Sequence, residues 1–298
     1  MHTDGYHLDD KLVRKLIDLQ FENWAHLTLN RIDSAGTDNV IFRLGSDMYI
    51  RMPLIPSASD KLNKELSCIP RLPLLPLKTP EPLAVGSPAE NYQSPWAIYR
   101  WIEGIEVNRG GINDINVAAE TNADFIRVLH GGDISMIPSY GEHNNFRGCP
   151  LRKRDEPTRQ AILNLSDIYD ATELLAFWEK SLTIPSWTEE PVLVHGDIHA
   201  GNLLMNNGNI SAVIDFGLMG TGDPAVDLIV NWSLLSNGAR KRFRDVLGTD
   251  DNTWLRGRGW AFSTAMIAHS YYRHSNPFMT GMAKQVISEV LIDFRSKG

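Results

Sequence analysis

The sequence predicts an α+β protein with a small β-rich N-terminal lobe, residues 1–101, and a larger, mainly helical C-terminal lobe, residues 102–298. Three observations support this division. Short apolar runs separated by turn residues characterise the N-terminal part. Longer segments with helical apolar spacing dominate the remainder. A proline-rich stretch, residues 69–88, excludes a long helix within that segment.

Each element expected in the N-terminal lobe follows from a local pattern. The leucines from Leu12 to Leu19 recur at helical spacing and predict an amphipathic helix. Apolar runs 40–44 and 48–52 flank the turn residues Gly45 to Asp47, so they predict a β-hairpin. The other elements expected here are a tight loop over 34–39, a helix over 58–68 and a strand over 96–99.

The C-terminal lobe combines helices with a small group of strands. Asn206 to Asn209 is a strong hairpin turn between two apolar runs. The helices expected are 115–129, 171–182 and 282–294, and the strands are 192–194, 203–205 and 210–214. The hairpin therefore lies among helices and follows a third short strand.

Composition and charge limit the function classes. The net charge of -7 argues against general nucleic-acid binding, which usually requires a basic face. No apolar run approaches the ~18 residues that span a bilayer, and the polar N-terminus does not resemble a signal peptide. Cys68 and Cys149 are far apart in sequence, which is typical of reduced thiols. We therefore expect a cytoplasmic protein with neither a membrane nor a nucleic-acid partner; the sequence indicates no oligomeric state.

Segment 195–202 carries the strongest chemical signal, because it reads His-Gly-Asp-Ile-His-Ala-Gly-Asn and is followed at 214–217 by Ile-Asp-Phe-Gly. A loop after a strand presents Asp197 and then Asn202, and the hairpin that follows should bring Asp215 beside them. Carboxylate and amide oxygens suit Mg²⁺, which is usually held by one or two such groups plus substrate phosphates. Asp197 would then be free to accept a proton from an attacking hydroxyl.

These residues resemble the catalytic and metal-binding loops of the aminoglycoside phosphotransferase family, a small-molecule branch of the protein-kinase-like superfamily. Supporting matches cover nearly the whole chain; they are segments 101–104, 145–148, 222–228 and 256–260. The resemblance implies a bilobal protein-kinase-like fold and a kinase that uses ATP or GTP with Mg²⁺. It assigns Asp197 as the catalytic base, Asn202 and Asp215 as metal ligands and Asp227 as a brace for the catalytic loop, although a role at a helix N-terminus also fits Asp227.

The resemblance also implies a set of nucleotide-binding residues. Arg51 would grip the phosphates and pair with Glu65, a departure from the usual lysine, and Arg43 is the competing candidate. The other residues expected at the nucleotide are Gly36, Thr37 and Asn39 in a short phosphate loop, and the backbone groups of Arg100 and Ile102 in the hinge.

The expected acceptor is a small hydroxylated molecule, with an aminoglycoside or related antibiotic ahead of choline or another metabolite. Acidic residues of 142–170 favour a polycationic ligand, whereas Trp254, Trp260, Tyr271 and Tyr272 could form an aromatic box.

Two other classes of protein stay open. A metallophosphoesterase would use the Gly-Asp-Ile-His at 196–199, but this sequence lacks the further histidines that such an enzyme needs. A pseudokinase would normally lack one of the three active-site residues, and all three are present here. A protein kinase would need a longer segment between Asp215 and Asp227.

Overall fold

The structure is a computed structural model and describes residues 8–32, 38–107 and 111–296. These residues form two compact units. The first lies within Met1–Arg71 and Thr79–Glu103, and the second lies within Leu72–Lys78 and Gly104–Gly298. A β-rich first unit and a mainly helical second unit confirm the predicted α+β fold class.

The first unit is built on a five-stranded antiparallel sheet with strand order β1-β2-β3-β5-β4. Its elements are α1 (Asp10–Gln20), β1 (Leu29–Ile32), β2 (Asn39–Leu44), β3 (Met48–Pro53), α2 (Pro56–Cys68), β4 (Pro82–Gly86) and β5 (Trp96–Arg100). The predicted β2–β3 hairpin is confirmed, and Gly45 in its turn has a φ of 60°. Positive φ is readily adopted by glycine, which explains its place there.

One face of this sheet is covered by α1. Asp9 caps the helix by accepting a hydrogen bond from the Leu12 amide at 2.8 Å. The apolar stripe that includes Val13 and Leu16 is fully buried and belongs to the same cluster as Phe42 and Ile50 of the sheet. Apolar residues repeat about every 3.6 residues in a helix and every 2 residues in a strand, so the apolar faces of both elements pack into one core.

Both edge strands, β1 and β4, were absent from the sequence prediction. β1 has four residues with little burial, so its apolar signal is weak. β4 begins at Pro82, inside the proline-rich stretch, and its pairing with β5 shifts register between Pro82 and Ala84. Proline is compatible with the start of an edge strand because no ladder hydrogen bond from its nitrogen is needed there.

The second unit is mainly helical, and its strands form a three-stranded sheet, β6-β8-β9, and a two-stranded pair, β10-β7. Its helices are α3 (Ile115–His130), α4 (Asp155–Asn164), α5 (Ala171–Leu182), α6 (Val230–Ser233), α7 (Asn237–Leu247), α8 (Asp251–Tyr272) and α9 (Pro277–Arg295). Its strands are β6 (Ile105–Glu106), β7 (Val192–Val194), β8 (Leu203–Asn206), β9 (Asn209–Val213) and β10 (Gly220–Gly222). Within the described residues, no helix is long and apolar enough to cross a membrane.

The β8–β9 hairpin confirms the turn predicted from its asparagines and glycine. Asn207 and Gly208 have φ values of 50° and 76°, which are typical of the turns that join two-residue hairpins. The hairpin joins the end of one candidate loop to the start of the other, because β8 begins at Leu203 and β9 ends at Val213.

Helix α8 lies in the interior of the second unit and is not among the helices predicted from the sequence. Most of its length is buried, so it lacks the one-sided apolar stripe that reveals a surface helix. Two glycines permit its close packing. A Cβ at Gly257 would lie 2.7 Å from Leu228 Cβ, and a Cβ at Gly259 would lie 2.8 Å from Leu151 Cδ1.

Candidate active site

The loop that carries Asp197 leaves β7 through a residue that must be glycine. Gly196 has a φ of 82°, a conformation that side-chain-bearing residues rarely adopt. A Cβ at this position would also lie 2.6 Å from the Leu218 carbonyl oxygen and 3.0 Å from Arg147 Cβ. The turn therefore directs the chain sharply from the strand and allows two neighbouring segments to approach the loop.

Asp227 holds this loop from behind. Its carboxylate is fully buried and accepts hydrogen bonds from the backbone amides of His195 at 3.0 Å and Gly196 at 2.8 Å. His130 Nε2 lies 3.1 Å from the same carboxylate. A bracing contact, one of the two roles considered for Asp227 from sequence, is present in the structure.

Asp197 has a different partner at each carboxylate oxygen. Arg147 Nη2 donates to Oδ1 at 3.0 Å. Asn202 Nδ2 lies 3.4 Å from Oδ2 and donates to the Asp197 carbonyl oxygen at 3.0 Å, while His199 Nε2 lies 3.6 Å from Oδ2. These contacts therefore fix the orientation of the carboxylate, while the Asp197 side chain is still 21% exposed to solvent.

Opposing effects determine the ionisation of this carboxyl. Burial would raise the pKa of Asp197, but the Arg147 charge and then the hydrogen bond and charge of His199 outweigh it, so the pKa lies well below its usual value. Burial also lowers the pKa of His195. His195 Nδ1 accepts from the Asp197 amide at 3.2 Å, so Nε2 carries the proton and donates to the Ile214 carbonyl oxygen at 3.2 Å.

Asn202 and Asp215 are brought together by the hairpin. The amide of Ile214 donates to the Asn202 carbonyl oxygen at 2.9 Å, which places the next residue, Asp215, beside Asn202. Asp215 has a φ of 64°, and strained backbone of this kind often occurs at functional sites. Because Asn202 donates its amide nitrogen to Asp197, its Oδ1 is the atom left to coordinate a cation.

The donor set fits Mg²⁺. Asn202 and Asp215 offer two hard oxygen ligands, which is the usual number when substrate phosphates supply others. Over the residues that the structure describes, no group of three or more His, Cys, Asp or Glu side chains could hold a metal ion. Asn202 and Asp215 would need the substrate phosphates to complete the coordination of the ion.

The first unit contains the predicted pair of Arg51 and Glu65. Arg51 Nη1 lies 2.8 Å from Glu65 Oε2, and the Glu65 side chain is fully buried. Tyr99 Oη donates to the other oxygen of Glu65 at 2.7 Å, and burial, followed by the Glu65 charge, raises the pKa of Tyr99 far above its usual value. The competing candidate, Arg43, instead lies 3.6 Å from the centroid of the Trp101 ring and 3.5 Å from Glu103.

The remaining nucleotide candidates have varied surroundings. Gly36 and Thr37 lie outside the described residues. Asn39 begins β2, and its buried Oδ1 has no hydrogen-bond partner in the described chain. The Arg100 amide donates to the Glu81 carbonyl oxygen at 2.9 Å, while the backbone of Ile102 makes no such bond within the described ranges.

Arg147, which contacts Asp197 directly, was not assigned a role from sequence. The strained residues Asn145 and Phe146 precede it, with φ values of 53° and 57°. Asn144 fixes the turn by donating its side-chain nitrogen to the Arg147 carbonyl oxygen at 3.1 Å. The signal that could reveal Arg147 is the Asn-Phe-Arg-Gly segment at 145–148, whose resemblance to the family assigns no role to the arginine.

The acidic residues expected to attract a polycationic acceptor are largely engaged within the protein. Asp155 accepts from Arg159 Nε at 2.7 Å and from Trp178 Nε1 at 2.9 Å. Asp167 pairs with Arg273, and Asp170 caps α5.

The aromatic candidates do not form a box. Trp254 and Trp260 are buried in the core of the second unit, and Trp254 packs against Trp232 with ring centroids 5.2 Å apart. Tyr271 and Tyr272 contact each other edge to face at the end of α8. Neither predicted acceptor pattern is therefore supported by the geometry.

Comparison with known proteins identifies the family. The model of the phosphotransferase enzyme family matches residues 29–260, which is most of the chain. The chain belongs to this family. The matched range includes Arg51, Asp197, Asn202, Asp215 and Asp227, and the match confirms the resemblance inferred from the sequence.

Curated proteins that are similar in sequence match only part of the chain. An aminoglycoside 3'-phosphotransferase of Escherichia coli is 25% identical over 135 residues, which cover 43% of this chain and 48% of the relative. Another from the same organism is 28% identical over 119 residues, covering 40% and 44%. The chain thus spans about half the length of the curated relatives it matches.

Solved structures share the fold over nearly the full length. The GDP complex of wild-type aminoglycoside 2'-phosphotransferase-IIIa superposes with a TM-score of 0.77 at 18% identity, covering 96% of this chain and all of that one. The macrolide 2'-phosphotransferase of Brachybacterium faecium has a TM-score of 0.61 at 19% identity and covers 94% and 98%. At these identities, the similarity establishes the fold alone.

Proposed function

We propose that this protein transfers the γ-phosphoryl group of ATP or GTP to a hydroxyl group of a small molecule. The observation that carries the proposal is the loop in which Asn202 bonds to Asp197, with Ile214, the residue before Asp215, bonded to Asn202 and with Asp227 bonded to the loop amides. Membership of the phosphotransferase family supports it. A cytoplasmic location is part of the proposal, because both cysteines are free thiols and both nucleotides occur there.

In the proposed reaction, Asp197 orients the acceptor hydroxyl. A bond forms between the hydroxyl oxygen and the γ-phosphorus, the bond from that phosphorus to the β,γ-bridging oxygen breaks, and the nucleoside diphosphate leaves with the electron pair. The hydroxyl proton passes to the Asp197 carboxylate. A carboxylate of lowered pKa suffices because the transition state is loose and the proton moves late.

The other residues position and neutralise charge. We propose that Asn202 Oδ1 and the Asp215 carboxylate hold Mg²⁺, which when bound offsets the negative charge of the phosphates. Arg51, fixed by the buried Glu65, is proposed to bind phosphate oxygens in the first unit. The predicted phosphate-loop residues and the hinge backbone groups of Arg100 and Ile102 remain part of this proposal.

The antibiotic acceptor predicted from sequence is one candidate within this function. The names of the relatives support it, since they include aminoglycoside and macrolide phosphotransferases. Choline and other metabolites are further candidates. The engaged acidic residues and the buried tryptophans give neither a polycation nor choline a specific site.

Two variants test the proposed function on the purified protein. Asp197→Asn should lower kcat for acceptor-dependent ADP or GDP release by about 10²–10⁴-fold while leaving the affinity for MgATP near that of the wild type. Asp215→Ala should weaken calorimetric binding of MgATP and MgGTP, because it removes a charge that faces the cation. The matched control, Asp245→Ala, removes an exposed carboxylate on α7. Equal nucleotide affinities in Asp215→Ala and the control would exclude the metal assignment, and unchanged turnover in Asp197→Asn would exclude the base.

A further inference from the structure

Arg154 is a partly exposed arginine whose charge lacks a carboxylate partner. Two other arginines of the second unit show the usual arrangement. Arg256 donates to Asp223 at 2.7 Å, and Arg258 donates to Asp293 at 3.2 Å. No carboxylate of the described chain lies within ion-pairing distance of Arg154. Partial removal of a charge from water without a partner is costly, so an arginine of this kind suggests a ligand.

The guanidinium of Arg154 lies against α8. Its Nε donates to Ser263 Oγ at 3.2 Å, and its central carbon lies 5.2 Å from the centroid of the Trp260 ring. Its two terminal nitrogens make no hydrogen bond to the described residues. These nitrogens are the donors that a planar anion such as carboxylate or a phosphate ester can accept from in pairs.

Arg147 lies beside this position. Its Nη1 donates at 2.8 Å to the hydroxyl of Thr264, the residue that follows Ser263 on α8. The Arg147 side chain is 10% exposed, and its Nε is buried with no hydrogen-bond partner in the described chain. The two guanidinium groups therefore meet neighbouring residues of one helix, and both retain unused donors.

The charges of the two arginines are not balanced. Arg147 is compensated by Asp197, but Arg154 is not. Burial, followed by the charge of Arg147, lowers the pKa of Arg154 to about 10, so it is still protonated at neutral pH. A bound anion would relieve both the desolvation of Arg154 and its repulsion by Arg147.

The arginines also lie on a defined side of Asp197. Arg147 bonds to Oδ1, whereas Asn202 and His199 approach Oδ2. The proposed metal ligand thus meets one oxygen and Arg147 meets the other. This separation assigns the arginines to the acceptor rather than to the nucleotide phosphates.

We infer that Arg147 and Arg154, held against α8 by the hydroxyls of Thr264 and Ser263, bind an anionic group of the acceptor, a carboxylate or a phosphate ester, beside Asp197. The acceptor is then a small hydroxylated acid rather than a polycation. This inference rests on the proposed phosphoryl transfer and names its substrate class. Arg154 acts as a specificity-determining residue, while Arg147 both binds the anion and orients Asp197.

The direct test measures anion binding and needs no turnover. The full-length protein, with and without saturating MgADP, is titrated with gluconate, inorganic phosphate, neutral glucose and the polycation kanamycin, and the melting temperature is followed. Gluconate or phosphate should raise the melting temperature of the wild type, and glucose and kanamycin should not. Comparing gluconate with phosphate distinguishes a carboxylate site from a phosphate site. A wild type that responds to no anion, or a stronger response to kanamycin, overturns the inference.

Variants locate the binding. Arg154→Met should raise the half-saturating anion concentration by about 10- to 100-fold, the usual effect of losing a charge-assisted bidentate contact. The matched control is Arg152→Met, which removes an equal charge from the exposed side of the same short helix, Leu151–Arg154. Arg154→Lys keeps the charge but loses the paired N–H donors of the planar guanidinium, so it should raise the same concentration by about 10-fold. An unchanged value in either folded Arg154 variant refutes the assignment.

A second measurement separates the acceptor from the nucleotide. Calorimetry of MgATP and MgADP on Arg154→Met should show similar ratios of the two affinities in variant and wild type. A selective loss of MgATP affinity would assign the arginine to the γ-phosphate and overturn the inference. If neither nucleotide binds the wild type, the proposed phosphotransfer fails, whereas the anion titration without nucleotide still reports on the arginine site.

Discussion

Replacing Asp227 by asparagine removes the negative charge of this residue but keeps the size of its side chain, so it tests how far the catalytic loop depends on the carboxylate. Both carboxylate oxygens accept a backbone amide of the catalytic loop, Oδ2 from His195 at 3.0 Å and Oδ1 from Gly196 at 2.8 Å. In Asp227→Asn, one oxygen becomes an NH₂ donor. Either orientation of the new side chain therefore leaves one buried loop amide facing a donor instead of an acceptor.

The expected magnitude follows from these contacts. A hydrogen bond to a charged group contributes about 1.5–3 kcal/mol, and leaving a buried donor unpaired costs about 1–3 kcal/mol. Because the two contributions overlap, we expect Asp227→Asn to lower the free energy of unfolding by about 3 kcal/mol. The loop that carries Asp197 should also shift, and a misplacement of about 1 Å can reduce kcat by about 10²-fold.

Equilibrium urea denaturation followed by circular dichroism measures the first effect, and nucleotide turnover on a verified acceptor measures the second. Asp245→Asn, an exposed substitution on α7, is the control and should change stability by less than about 0.5 kcal/mol. If Asp227→Asn matches this control in both assays, the loop does not depend on the two amide bonds and the reasoning is wrong.

Three further predictions concern the second unit. Arg256→Met should destabilise the protein by about 3–5 kcal/mol in urea denaturation, because it leaves the buried carboxylate of Asp223 unpaired; a smaller effect than that of an exposed arginine would contradict this. Gly196→Ala should lower kcat and the melting temperature together, since its Cβ would lie 2.6 Å from a backbone oxygen and its φ is 82°; full activity would show that the turn can adapt. Burial, followed by the charges of Lys284 and Arg273, lowers the pKa of His269, so stability should fall as pH drops below about 6.5, where the unfolded state takes up a proton. Melting curves between about pH 8 and pH 5 should show a shallower decline for His269→Gln, and parallel profiles would rule this out.

The residues that the sequence identified are those whose partners are fixed by local geometry. Asp197 and Asn202 share one loop, and Asp215 follows a hairpin whose Asn-Gly turn determines its register. Their proximity could therefore be inferred from spacing and turn chemistry. The pairing of Arg51 with Glu65 was available only through the family resemblance, because it joins a strand to a helix.

The features that the sequence missed depend on packing across long separations. Arg147 reaches Asp197 through a loop with two consecutive positive φ values, and no periodic pattern encodes such a loop. Helix α8 was missed because it is buried on most sides and because it contains glycines, which have a low helix propensity. Arg154 cannot be distinguished by sequence from its exposed neighbour Arg152, since only the lower exposure of Arg154 and its contacts with α8 separate them.

The segment Leu72–Lys78 has a consequence for the order in which this chain acquires structure during synthesis. Its hydrogen bonds belong to the second unit, because the Lys78 amide donates to the Ser211 carbonyl oxygen at 3.2 Å and its carbonyl accepts from Val213 at 2.9 Å. The five-stranded sheet of the first unit, in contrast, is complete once Arg100 has been translated. Nascent chains fold domain by domain from the N-terminus. An emerging chain can therefore complete that sheet early, while the segment must wait for residues more than a hundred positions downstream before its backbone is paired.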